Sequence, residues 1–153
     1  MKKIFITILQ TAVVLVGVGI LIFMFWEPHL EGRNVNATLY QIYFNDPFLA
    51  YAYIASISFF TVLYQTFKVL GYTKQNKTLS SKILKAVRTI KYNTIIFICF
   101  ILGAEVYIFT VQRGKDDIAG GVAIGLFLII ISIIIVICAR VYEKKLNIHK
   151  YEK

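Results

Sequence analysis

Few residues of the kinds that carry chemistry occur in this sequence, which has two cysteines and two histidines among 153 residues. Cys99 and Cys138 lie far apart and form no C-x-x-C pair, which argues against a thiol oxidoreductase. We expect both to be small apolar side chains in helix interfaces. His29 and His149 fall in different polar segments, so they cannot share a metal ion within one subunit. The sequence therefore predicts no metal site and no cofactor.

Motifs for nucleotide and hydrolytic chemistry are also absent from the sequence. It contains no Walker glycine loop, no G-x-S-x-G and no H-E-x-x-H. Because no set of catalytic residues converges, enzymatic activity is not expected.

What the sequence has in excess is apolar surface, with 58% hydrophobic residues and a mean hydropathy of +0.70. So much apolar surface cannot be buried in one water-soluble core of this size. A membrane helix needs roughly 20 apolar residues to cross about 30 Å of hydrocarbon. Four segments qualify, at residues 4–26, 48–67, 93–111 and 119–139. The sequence therefore predicts an all-α fold, a bundle of four transmembrane helices that forms a single integral membrane domain over residues 1–153.

The first apolar segment could instead be a cleaved signal peptide. Signal peptides have an apolar region of about 7–15 residues that is followed closely by a cleavage site with small residues. Here the apolar run continues to Trp26 and is followed by Glu27 and Pro28. We therefore interpret it as a permanent membrane helix.

A basic loop at residues 68–92 joins the second and third segments. Within it Ile83, Val87 and Ile90 share one face of a helix. The basic residues of this stretch lie away from that face: Lys82, Lys85 and Arg88. This pattern predicts a short basic amphipathic helix on the membrane surface, before the third transmembrane helix. Its basic residues are a candidate interaction surface for anionic lipid headgroups or a protein partner.

The basic residues also predict the orientation. Of the 17 lysines and arginines, all but three fall at the N-terminus, in loop 68–92 or after residue 139. The exceptions are Arg33, Arg113 and Lys115. The positive-inside rule then places both termini and loop 68–92 in the cytoplasm of a bacterial cell, and loop 27–47 outside. Because topology explains the net charge of +9, direct binding of nucleic acid is not expected.

Glu105 is the only acidic residue inside the four apolar segments. A carboxyl group at that depth is costly unless it is protonated, paired or exposed to water. Counting residues from the helix ends places Tyr53 and Ser56 of the second segment at the same depth. These three residues are the candidate intramembrane polar site. A carboxyl group that holds helices together and a site that binds protons or cations both remain open.

Small and amide side chains indicate how the helices pack. Gly121, Gly125 and Ser132 lie along one seam of the fourth segment, where another helix can approach closely. Gln10 of the first segment is level with Gln65 of the second, and the two amides could form a hydrogen bond between helices. The seam could close the four-helix bundle or form a homo-oligomer.

The second half of the chain resembles a known family. The relevant features are Ser80-Ser81-Lys82-Ile83-Leu84-Lys85 before a helix with an acid near its outer end, and residues 116–121 before a long aliphatic last helix. In these features it is similar to the YoaS-like bacterial four-helix membrane proteins, which carry a domain of unknown function. Members are often encoded beside a small helix-turn-helix regulator, so the resemblance implies such a regulator as a partner, by association.

Two functions follow from these observations. The first is a non-enzymatic, multi-pass membrane protein that acts as an interaction, sensing or immunity-type partner. Its contact surfaces would be the basic stretch of residues 82–91 and the outer loop. The alternative is a small proton-coupled transporter or channel subunit in which Glu105 titrates and several copies surround a pore.

Overall fold

The computed structural model describes residues 2–30, 38, 40–41, 47–76, 80–112 and 118–151. The regular secondary structure within these residues is helical. Its elements are α1 (Lys2–Leu30), α2 (Pro47–Lys74), α3 (Ser81–Tyr107), a short π-helix (Ile108–Gln112) and α4 (Ala119–Tyr151). Most of loop 27–47, which is predicted to lie outside the cell, falls outside the described residues, including the aromatic residues Tyr43 and Phe44. So do residues 113–117 between the third and fourth helices.

The described part of the chain contains four helices that are long and apolar enough to cross a membrane. The stretches with this property are Lys3–Trp26, Pro47–Lys74, Ser81–Val111 and Ala119–Ile148. Large apolar side chains cover their outer surfaces, among them Leu15, Phe127 and Ile130. In a membrane these side chains face lipid, so their exposure is expected. The prediction of an all-α fold with four helices long and apolar enough to cross a membrane is confirmed, whereas the cytoplasmic placement of both termini stays a prediction.

The basic stretch after residue 80 differs from the prediction, because it is not a separate helix. It is the beginning of α3, which runs without a break from Ser81 to Tyr107. Ser80 caps this helix with its hydroxyl group, which accepts a hydrogen bond from the Ile83 amide at 3.4 Å. The sequence has no glycine or proline from residue 81 to residue 102, so nothing ends the helix before the membrane segment.

The apolar face of this stretch packs inside the protein. Ile83, Val87 and Ile90 form a buried core with Ala139 and Leu146 of α4. Val69 and Tyr72 of α2 pack against the same core. We call this end of the bundle, where α2 and α4 end and α3 begins, the basic end. Its lysines include Lys74, Lys82, Lys85, Lys144 and Lys145.

The helices pack in the order of the sequence, with α1 against α2, α2 against α3 and α3 against α4. One link between α1 and α2 is a hydrogen bond from Gln10 Nε2 to the carbonyl oxygen of Phe67, at 3.3 Å. The structure shows no hydrogen bond between Gln10 and Gln65 in the described residues, so the predicted amide pair does not form. Gly71 lies beside the Gln10 amide and leaves it room, because a Cβ atom there would lie 3.4 Å from Nε2.

Candidate functional site

Glu105 lies on the face of α3 that packs against α4. Its residue is 9% exposed, and Ile101 and Ile108, about one turn to either side, are also buried. The carboxyl group rests directly on Gly125 of α4, where a Cβ atom would collide with Oε1. Gly125 therefore provides the space that the carboxyl group occupies.

The second oxygen of this carboxyl group lacks a partner. Glu105 Oε2 is buried and has no hydrogen bond among the residues that the structure describes. A buried polar atom without a hydrogen bond is costly, and an unpaired negative charge in hydrocarbon costs far more. The arrangement leaves Oε2 available to accept a hydrogen bond from a donor outside the described residues.

A π-helix follows Glu105 directly. Its first residue, Ile108, donates its amide hydrogen to the carbonyl oxygens of both Ala104 and Glu105. The π-helix then continues to Gln112. Such short π-helical turns interrupt α-helices rarely and are frequent at functional sites. Glu105 thus lies where the regular geometry of α3 ends.

Tyr53 and Ser56 do not join Glu105 in a hydrogen-bonded cluster in the described structure. The Tyr53 hydroxyl group donates to the carbonyl oxygen of Met24 on α1, at 3.0 Å, and Ser56 Oγ donates to the carbonyl oxygen of Tyr53 on its own helix, at 2.7 Å. Counting residues estimates depth in the membrane but not which way a side chain faces. Tyr53 faces α1, so this part of the predicted site is not assembled.

Tyr51, which the sequence analysis did not select, connects α2 to α3. Its hydroxyl group donates to the carbonyl oxygen of Phe100 at 2.8 Å. The ring lies over Gly103, where a Cβ atom would collide with the hydroxyl group. In the sequence, the only indication of this contact is that α2 carries a tyrosine and α3 a glycine that could receive its ring. However, sequence alone does not show which of Tyr51 and Tyr53 faces α3.

The predicted basic surface divides into two parts. Lys82 and Lys85 are exposed. Arg88 instead forms an ion pair with Glu143 of α4, with Nε 2.6 Å from Oε1, and Lys91 Nζ is 2.6 Å from Oε2. Although the Arg88 side chain is 49% exposed, it shares the single negative charge of Glu143 with Lys91. Arg88 therefore joins α3 to α4. Of the three residues in the predicted basic surface, Lys82 and Lys85 remain available to a partner.

The seam of small residues on α4 faces α3 of the same chain. Gly121 lies against Ile108, 3.4 Å from its Cδ1 to the position of a Cβ atom, and Gly125 lies against Glu105. Ser132 and Ala139 further along α4 are buried as well. The small residues thus let α4 pack closely on α3. Of the two alternatives for this seam, the structure shows the contact within the bundle, and a homo-oligomer stays a prediction.

The cysteines differ from expectation, because both Cys99 and Cys138 are exposed and free. Neither is buried in a helix interface, although Cys138 lines an open groove between helices. Among the described residues no group of three or more His, Cys, Asp and Glu could hold a metal ion.

Comparison with known proteins places the chain in a family. Residues 33–148 match the family described as "Protein of unknown function (DUF2975)". The chain belongs to this family. It is also similar to the "Uncharacterized membrane protein YoaS" of Bacillus subtilis (strain 168), with 33% identity over 142 residues, which cover 91% of this chain and 87% of that protein. No solved structure matches the chain. The resemblance seen in the second half is confirmed and extends into the first half.

The match of this DUF2975 chain covers α2, α3 and α4 but leaves out α1. Every residue of the Glu105 contact and of the basic end discussed above lies inside the matched range. Neither the description of the family nor the name of the relative points to catalysis. The family model thus covers the three later helices, whereas the similarity to the Bacillus protein extends over 91% of the chain.

Proposed function

We propose that this DUF2975 protein is a non-enzymatic protein of the bacterial cell membrane that binds a protein partner through its basic end, in a sensing or immunity-type role. The observation that carries the proposal is the exposure of Lys82 and Lys85 on the first turns of α3. The neighbouring Ile83 is fully buried, so packing holds the part of α3 that carries these lysines in place. Because the helix is already held in place, binding of a partner restricts the lysine side chains but does not have to order the backbone.

The distribution of lysine and arginine supports a cytoplasmic position for this surface. There it can meet both anionic lipid headgroups and soluble proteins. The family resemblance makes a small helix-turn-helix regulator the first candidate partner. Such a partner would present acidic side chains to Lys82 and Lys85.

Replacement of both lysines by glutamine is expected to release the partner. Tagged protein is crosslinked in native membranes and purified, and the recovered proteins of the variant Lys82→Gln/Lys85→Gln are compared with those of the wild type. The matched control is Lys82→Arg/Lys85→Arg, which keeps the charges and should keep the partner. A partner that the glutamine variant recovers as well as the wild type does would rule out this surface.

A second function, as a proton-coupled transporter or channel subunit, is favoured by the unpartnered oxygen of Glu105. The variant Glu105→Gln keeps the shape of the side chain but cannot exchange a proton. In vesicles that contain the purified protein, we expect this variant to reduce proton flux, followed with a pH-sensitive dye, to that of protein-free vesicles. Glu143→Gln is the control, because Glu143 lies at the basic end in ion pairs. Equal proton flux in vesicles with Glu105→Gln and with the wild type would contradict a proton-coupled transport function that depends on Glu105.

A further inference from the structure

An apolar groove of about 470 Å³ lies between α2, α3 and α4. α2 and α4 both pack on α3 but contact each other little, and the groove fills the space between them. Phe97 and Leu128 line it in the middle of the helices, and Val87 and Tyr142 line it near the basic end. Because exposed residues such as Ile134 form part of its wall, the groove opens to the surface of the bundle.

The walls of the groove offer hydrocarbon rather than hydrogen-bonding groups. Two of its hydroxyl groups are used within their own helices, since Thr66 Oγ1 donates to Val62 and Thr94 Oγ1 to Ile90, both at 2.8 Å. A polar ligand would lose its hydrogen bonds to water here and gain few in return. The lining residues all lie in stretches that can span a membrane. With these helices in a membrane, the groove would open to lipid, and its apolar walls suit an acyl chain.

The end of the groove supplies a positive charge. Lys145 is exposed and follows Tyr142 by three residues, so it lies one turn further along the same side of α4. Lys144 points to the opposite side of the helix. A phosphate group beside Lys145 would thus lie at the same end as the headgroups of a lipid whose acyl chain enters the groove.

We propose that the groove is a binding site for an anionic phospholipid, with one acyl chain between α2 and α4 and the phosphate group bound by Lys145. The charge of Lys145 selects an anionic headgroup over a zwitterionic one, and the apolar walls hold the chain. This site is separate from the surface of Lys82 and Lys85, and it requires no protein partner. It also does not depend on which end of the bundle is cytoplasmic.

Fluorescence quenching by brominated acyl chains tests the proposal. The single tryptophan is removed by Trp26→Phe, and a reporter is placed in the groove by Phe97→Trp. The control reporter is Ile133→Trp, which is exposed to lipid at the same depth. The contacts of Glu105 with Gly125 and of Arg88 with Glu143 fix how α3 and α4 are aligned. This antiparallel alignment places Ile133 of α4 level with Phe97 of α3. Each protein is placed in vesicles of phosphatidylcholine and phosphatidylglycerol, in which one or the other lipid is brominated.

The groove reporter should prefer phosphatidylglycerol by about fivefold, the effect expected of one basic residue near a lipid phosphate. The control reporter should show no preference. Lys145→Gln should remove the preference at the groove, whereas Lys144→Gln should leave it. Since Phe97 packs on Phe59, with ring centroids 5.7 Å apart, Leu128→Trp provides a second groove reporter.

Three outcomes would overturn the proposal. Equal quenching of the groove reporters by both lipids would show a groove without headgroup selection. An unchanged preference in Lys145→Gln would show that this lysine does not bind the phosphate group. Protection of the groove reporters from both lipids, together with crosslinked dimers, would show that a second copy of the chain occupies the groove.

Discussion

Replacement of Gly125 by alanine is expected to weaken the packing of α4 on α3 by about 1–3 kcal/mol, the usual cost of inserting a group into a filled space. A Cβ atom at this position would collide with Oε1 of Glu105 and lie 2.8 Å from its Cδ. Either the carboxyl group must rotate or the helices must separate. The change is measured as a lower unfolding temperature of the purified protein in detergent and a lower abundance in membranes.

Gly120→Ala is the matched control for this prediction, because a Cβ atom at Gly120 meets nothing within 4 Å. It should leave stability unchanged or raise it slightly through the better helix propensity of alanine. The double variant Glu105→Ala/Gly125→Ala removes the obstructing carboxyl group and should be more stable than Gly125→Ala alone. Such a reversal is the sign of two residues in direct contact. If Gly125→Ala unfolds at the temperature of the wild type, the carboxyl group of Glu105 rotates away from the added methyl group at no cost, and the predicted loss of packing is wrong.

Ile83→Ala is expected to destabilise the basic end by about 2–5 kcal/mol, which is typical for the removal of a fully buried isoleucine side chain. Ile83 is 0% exposed and packs in the core that α3 forms with Ala139 and Leu146. The loss is measured as the change in unfolding free energy in mixed detergent and denaturant. The control Ile148→Ala removes the same atoms from a side chain that is 51% exposed, and its effect should be much smaller.

This measurement also distinguishes the two descriptions of the stretch after Ser80. In a helix that lies on the membrane surface, Ile83 would contact lipid, and its truncation would change membrane affinity but hardly the unfolding of the bundle. In the continuous helix α3, the same truncation leaves a cavity between α3 and α4. Equal and small effects of Ile83→Ala and Ile148→Ala would therefore contradict the packed basic end.

The existence of the four helices could be predicted because each apolar run is long enough to cross a membrane. The faces of these helices could not be predicted in the same way. A helix in lipid is apolar on all sides, so no polar stripe shows its rotation about its own axis. Tyr51 and Tyr53 illustrate the difficulty, since they are two residues apart and bond to α3 and α1, respectively. Their depth was predictable, but their partners were not.

The two residues at the centre of the candidate site were selected for different reasons. Glu105 was noticed for its charge, and Gly125 for the spacing of small residues. Their contact depends on the register of α3 against α4, to within about one residue, and the sequence of the link between these helices does not specify that register. In the same way, the pairing of Arg88 and Lys91 with Glu143 depends on the extension of both helices beyond the predicted membrane segments. The sequence prediction assigned these three residues to polar segments outside the membrane helices, so it did not place them on neighbouring helix faces.

The packing of each helix on its neighbour in sequence also has a consequence for biosynthesis. Membrane helices are delivered one after another as the chain is made, and N-terminal parts fold first. α2 can therefore pack on α1, and α3 on α2, as soon as each is inserted, because these contacts are local in sequence. Glu105 is the exception, since the glycine that covers its carboxyl group belongs to the last helix. Until α4 enters the membrane, the carboxyl group of Glu105 lacks its contact with Gly125, so the insertion of α4 is the step that completes its burial.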